Sequence, residues 1–123
     1  MKKFFFAFML VMFVLACGNN NTKKEEPKVV DITENPDYKK GVMLAEQNKC
    51  TTCHDIENTI TGPPYRQVAN KYAGRPDTIV NYLANKVISG GSGNWGEIPM
   101  TPHPGLSKED AETLVRYILL LKK

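Results

Sequence analysis

The sequence is short of nearly everything that would mark a disulfide scaffold, a zinc module, a membrane channel or a nucleic-acid binder. Three cysteines and two histidines occur in 123 residues. An odd cysteine count cannot pair completely, and a zinc site built on Cys50 and Cys53 would find few further ligands beyond His54 and His103. Long apolar runs are equally scarce. The stretch from Phe4 to Leu15 falls short of the roughly 20 residues that span a bilayer, and no basic stop-transfer cluster follows it. No segment alternates convincingly as a strand, no segment repeats, and the charges are interleaved, so nothing points to nucleic acid.

The two ends of the apolar run explain it. Lys2 and Lys3 form a basic n-region and Phe4 to Leu15 an h-region, so residues 1–16 read as a cleaved secretory signal. Val14-Leu15-Ala16-Cys17-Gly18 resembles a bacterial lipobox, although Leu15 stands where a small residue is usual. That resemblance implies lipidation of Cys17, which would anchor the chain to the periplasmic side of a bacterial membrane. The alternative is ordinary cleavage near Ala16, leaving Cys17 as a free thiol. Residues 17–35 then form the acylated cysteine and a polar linker. A coil of roughly 18 residues would span about 23 Å. Without Lys2 and Lys3, 14 basic residues face 13 acidic ones, so the exported chain is nearly neutral.

Residues 36–123 carry the folded part, and its periodicity is helical. Asn35-Pro36 offers an N-cap and a first-turn proline, with Gly41, Leu44, Ala45 and Asn48 on one face of a helix running towards Lys49. After Gly62-Pro63-Pro64, the residues Tyr65, Val68, Ala69 and Tyr72 keep helical spacing. A third helix follows Pro76 with Ile79, Leu83 and Val87 on one stripe. Ser89 to Gly96 reads as a glycine-rich loop. Ser107 to Asp110 reads as a capping box opening a last helix with Leu114, Val115, Ile118 and Leu119. The fold class is all-α, with four or so helices.

The run Cys50-Thr51-Thr52-Cys53-His54 is the sequence mark of covalent haem attachment. Two thiols on one helical turn can each join one vinyl group, and the next residue carries an imidazole under the porphyrin face. A thioredoxin-like redox pair uses the same CxxC but sits in a strand-rich domain, which is lacking here. Export also places the pair in an oxidising compartment, where an unprotected CxxC tends to close.

An iron with His54 alone would keep an open position. A thioether there closes the site and raises the reduction potential. Met1, Met9 and Met12 leave with the signal, and Met43 lies too close to the attachment turn. Met100 remains, between Pro99 and the Thr101-Pro102 pair that limit its freedom. His103, three residues on, is the complication: it can neighbour the ligand or replace it.

From about Pro36 to Lys123 the chain resembles a short bacterial class I cytochrome c, with one haem c bound through Cys50 and Cys53. The matching pieces are Gly41 and Leu44, the CxxCH run, Gly62-Pro63-Pro64-Tyr65, Trp95 to Met100, and Tyr117 in the last helix. The resemblance implies His54 and Met100 as the iron ligands and a Pro63 carbonyl that holds the His54 ring. It also implies a Trp95 indole and a Lys86 ammonium towards the haem propionates, and a crossing of first and last helices at Gly41 and Tyr117. Ala45 stands where an aromatic is usual at that crossing, and His103 replaces an asparagine often found beside the ligand methionine.

The implied activity is outer-sphere electron transfer by a monomer that is not an enzyme. Its partners would be respiratory complexes, an oxidase or a nitrite reductase, met in weak and transient encounters. The alternative is a small haem enzyme or ligand sensor with an open sixth iron position.

Overall fold

The computed structural model describes residues 31–123; the signal segment, Cys17 and the linker up to residue 30 lie outside the described residues. Among the described residues, four α-helices form, and side-chain caps open two of them. Helix α1, Pro36–Gln47, opens on the Asn35 side chain, whose oxygen accepts from the Asp37 amide at 2.8 Å. Pro36 needs no hydrogen-bond donor at that position. The helix stops short of Lys49 because the Asn48 side chain turns back to the Leu44 carbonyl at 2.9 Å and Lys49 adopts a left-handed φ of 57°.

A 3-10 turn at Ile32–Glu34 precedes α1, in a stretch expected to be linker. Asp31 caps it by accepting from the Thr33 amide at 3.0 Å, and Ile32 packs against the core. One apolar anchor and one cap are enough to bring these residues into the fold.

Helix α2, Tyr65–Tyr72, follows directly from Pro63-Pro64, and Pro64 holds the extended backbone that launches it. Helix α3 spans Thr78–Ser89. Helix α4, Lys108–Leu120, begins at Ser107, whose Oγ accepts from the Asp110 amide at 3.1 Å and donates to the Asp110 carboxylate at 2.9 Å.

Helix α4 packs against each of the other three. Its buried stripe of Ala111, Leu114, Val115, Tyr117 and Ile118 meets Leu44 and Ala45 of α1, Tyr65 and Ala69 of α2, and Ala84 and Val87 of α3. Burying each Leu or Val side chain contributes about 1.5–3 kcal/mol, so this stripe dominates the packing. At the crossing of α1 and α4, Gly41 has no side chain because a Cβ would lie 2.1 Å from the Tyr117 Cβ. Tyr38 meets Tyr117 edge-on at 5.3 Å. Lys40–Asp110 at 2.8 Å and Arg116–Asp37 at 3.4 Å flank the same crossing. Ala45 borders a hollow of ≈ 300 Å³ together with Tyr38, Ile56, Tyr65 and Tyr117, and the Gly41–Tyr117 contact is close.

One feature departs from the helical expectation. Strands β1, Gly91–Gly93, and β2, Gly96–Met100, form an antiparallel ribbon with Gly91 opposite Met100 and Gly93 opposite Gly96. Three glycines at φ between 107° and 114° make this backbone path accessible, so no alternation of side chains announces it. Among the described residues, no helix is long and apolar enough to cross a membrane.

Candidate haem-binding cleft

The chain leaves α1 through Lys49 into a 3-10 turn at Cys50–Thr52, a helical turn tighter than an α turn. This buries Cys50 and exposes Cys53, both as free thiols, and delivers His54 with its amide on the Cys50 carbonyl at 3.0 Å. Burial pushes the Cys50 thiol above its ordinary value. Residues 55–62 then fold back. The Asp55 carboxylate accepts from the Asn58 amide at 2.7 Å and the Glu57 amide at 2.8 Å, which holds its carboxyl below its ordinary value. The amides of Thr61 and Gly62 return to the Cys53 carbonyl at 3.2 and 2.8 Å.

That fold-back sets the imidazole. His54 Nδ1 lies 2.8 Å from the Pro63 carbonyl oxygen. A carbonyl only accepts, so Nδ1 carries the proton and Nε2 is left with its lone pair. Gly62 covers the ring so closely that a Cβ there would sit 2.3 Å from His54 Cε1. The Tyr65 ring stacks beside it, with centroids 5.4 Å apart and planes 18° from parallel. The Tyr65 hydroxyl is buried without a hydrogen-bond partner, and burial drives it far above the ordinary phenol range.

These groups line a cleft of ≈ 590 Å³. Its walls include Val68, Tyr72, Leu83, Val87, Leu114, Val115 and Ile118, and Cys50, Cys53, His54, Pro63, Lys86, Trp95, Met100 and His103 all border it. The structure therefore brings together every site residue that the sequence points to, apart from Cys17, which lies outside the described residues. Met100 ends β2 and is half-buried; Lys86 and Trp95 are exposed. His103 is half-buried, and its amide is tied to the Ile88 carbonyl at 3.0 Å.

Sequence reasoning missed three supports. Gly62 makes room for the imidazole, and Gly90 lets the Met100 segment approach, since a Cβ there would lie 2.4 Å from the Met100 carbonyl oxygen. The Gly62-Pro63 and Gly90-Gly91 pairs carried that signal. Lys71, which reaches the ribbon from α2, had none.

The residues present fit a c-type haem. The cleft has the volume of a cofactor site, an apolar wall, two thiols on its rim and an imidazole whose Nε2 is unpaired. Comparison with known proteins agrees. The family described as cytochrome c matches residues 38–122. Cytochrome c-551 of Azotobacter vinelandii is 44% identical over 82 residues, covering 67% of this chain and 98% of that protein. Cytochrome c-552 of Hydrogenobacter thermophilus is 47% identical over 80 residues, covering 65% of this chain and 80% of its own. The crystal structure of Nitrosomonas europaea cytochrome c552 superposes with a TM-score of 0.62 at 43% identity, over 66% of this chain and 99% of that one. Motif, cleft and relatives converge: the chain belongs to the cytochrome c family, and is a small electron carrier with one covalently attached haem c.

Proposed function

We propose that His54 and Met100 are the two protein ligands of the haem iron, and that the closed site exchanges single electrons between redox partners at a bacterial membrane. When bound, the haem supplies the one-electron change between ferrous and ferric iron. The observation that carries the reading is the Nδ1–Pro63 hydrogen bond, which fixes the His54 tautomer and leaves Nε2 for the metal. Met100 supports it by bordering the same cleft on a strand whose backbone is paired with Gly91. A thioether ligand raises the reduction potential relative to a site with imidazole alone. Trp95 and Lys86, also on the cleft, are the candidate partners for the propionates.

Cys17 is the lipidated N-terminus, the linker gives the head reach, and the protein works as a monomer on the periplasmic side of the membrane. Respiratory complexes, an oxidase or a nitrite reductase are the partner class, met weakly and briefly so that turnover stays fast. Absorbance spectroscopy tests the ligand set. Ferric protein shows the methionine-to-iron charge-transfer band, Met100→Ala abolishes it, and His103→Asn retains it. A band that survives Met100→Ala contradicts the assignment. Cys17→Ser tests the anchor by moving the protein from the membrane fraction to the soluble one.

A further inference from the structure

The ribbon that carries Met100 has little burial to hold it. Every residue from Gly91 to Pro99 is exposed, and a Cβ added at Gly91, Gly93 or Gly96 would meet nothing within 4 Å. Its turn is held instead by side chains from the neighbouring helices. Lys71 Nζ, at the end of α2, donates to the Asn94 carbonyl at 3.0 Å and stands 4.2 Å from the centroid of the Trp95 ring. Asn94 Nδ2 donates to the Tyr82 hydroxyl of α3 at 2.9 Å. Tyr72 meets the Trp95 ring edge-on at 6.5 Å. One ammonium thus grips both the backbone and the aromatic ring of the turn.

We propose that Lys71 is a positioning residue for the electron-transfer site: it clamps the Asn94–Trp95 turn and, through the ribbon, keeps Met100 and Trp95 at the cleft. The link is the short ribbon itself, in which Gly93 pairs with Gly96 and Gly91 with Met100 on either side of a register shift. A turn that lifts from α2 opens the Gly93–Gly96 pair, and the Gly91–Met100 pair is then left to hold the end of β2 with no neighbouring pair beside it. The cation supplies two contacts at once, a hydrogen bond from a charged donor and a cation–π contact. Lys71 touches neither iron ligand, so its effect is on how long the thioether stays in place.

This inference rests on Met100 being the sixth ligand. Its test is the rate at which cyanide binds ferric holoprotein, because cyanide reaches the iron only after the thioether has left. Lys71→Gln removes the charge, and with it the cation–π contact and the charge assistance of the hydrogen bond, and is expected to bind cyanide about tenfold faster. Lys71→Arg keeps a donor and a cation over the indole, and is expected within about twofold of the unmodified protein. Lys40→Gln, which breaks the surface pair with Asp110 at the other side of the fold, is expected to leave the rate unchanged. The proposal is overturned if Lys71→Gln binds at the unmodified rate, if arginine fails to rescue, or if Lys40→Gln speeds binding equally. An unmodified protein without the charge-transfer band would sink the ligand reading itself; with the band present, an unaltered Lys71→Gln rate sinks only the clamp.

Discussion

His54 Nδ1 donates to the Pro63 carbonyl across 2.8 Å, with Gly62 closing over the same ring. The two neighbours act on different properties of the imidazole. Pro63 fixes which nitrogen holds the proton, and Gly62 fixes where the ring plane can lie.

Gly62→Ala separates space from bonding. Its new Cβ would fall 2.3 Å from His54 Cε1 and 2.7 Å from Nδ1, so the ring must move and the hydrogen bond must stretch. Overpacking of this kind costs about 1–3 kcal/mol. The variant is expected to unfold at lower denaturant. Its reduction potential should rise, because an imidazole that loses its carbonyl partner donates less to ferric iron. Voltammetry and denaturant titration of the same sample read both effects.

At the crossing of α1 and α4, two opposing effects can be weighed. Gly41→Ala gains about 1 kcal/mol of helix propensity. It also puts a Cβ 2.1 Å from the Tyr117 Cβ, and neither atom can swing away because both are fixed to helix backbone. Overpacking therefore wins, and a net loss of up to about 2 kcal/mol is expected in denaturant unfolding. A variant as stable as the unmodified protein would show that the helices can separate freely here.

The Lys40–Asp110 pair gives a pH signature. The Asp110 carboxyl is held below its ordinary 3.8, chiefly by the Lys40 ammonium and then by the Ser107 hydroxyl. Lys40 is raised above its ordinary 10.5 by the same carboxylate. A lowered carboxyl contributes stability that is complete above 3.8 and is lost as pH falls through the folded value. A raised ammonium contributes below 10.5 and is lost as pH climbs through its folded value. The stability gap between unmodified protein and Asp110→Asn should therefore be flat through neutral pH, close in acid, and narrow in strong base, where the Ser107 bond survives. Urea unfolding across a pH series checks it, and a gap that widens in acid would contradict it.

Much of this was legible in the chain. Asn35-Pro36 and Ser107 to Asp110 announce their helix starts because capping is local chemistry; both side-chain caps form, and the Asp110 carboxylate returns to the Ser107 hydroxyl. Cys50, Cys53 and His54 are contiguous, so their meeting needs no tertiary knowledge. The Pro63 and Trp95 roles are different: spacing alone does not reveal them, and they came from resemblance to a family. The ribbon at Gly91 to Met100 was hidden because its path depends on positive φ at glycines rather than on side-chain alternation. Ile32 joined the core from a polar stretch that looks like linker. Lys71 was invisible, since nothing near it in sequence refers to a carbonyl 23 residues on.

A closed iron site exchanges electrons without taking up a gas, and voltammetry of the holoprotein under carbon monoxide distinguishes it from an open one. Carbon monoxide binds ferrous haem wherever the sixth position is open, and binding drags the potential upward. The account predicts one reversible one-electron wave at the same potential with and without the gas. A wave that shifts under carbon monoxide would show an open iron, and would contradict the assignment of Met100 and the carrier role together.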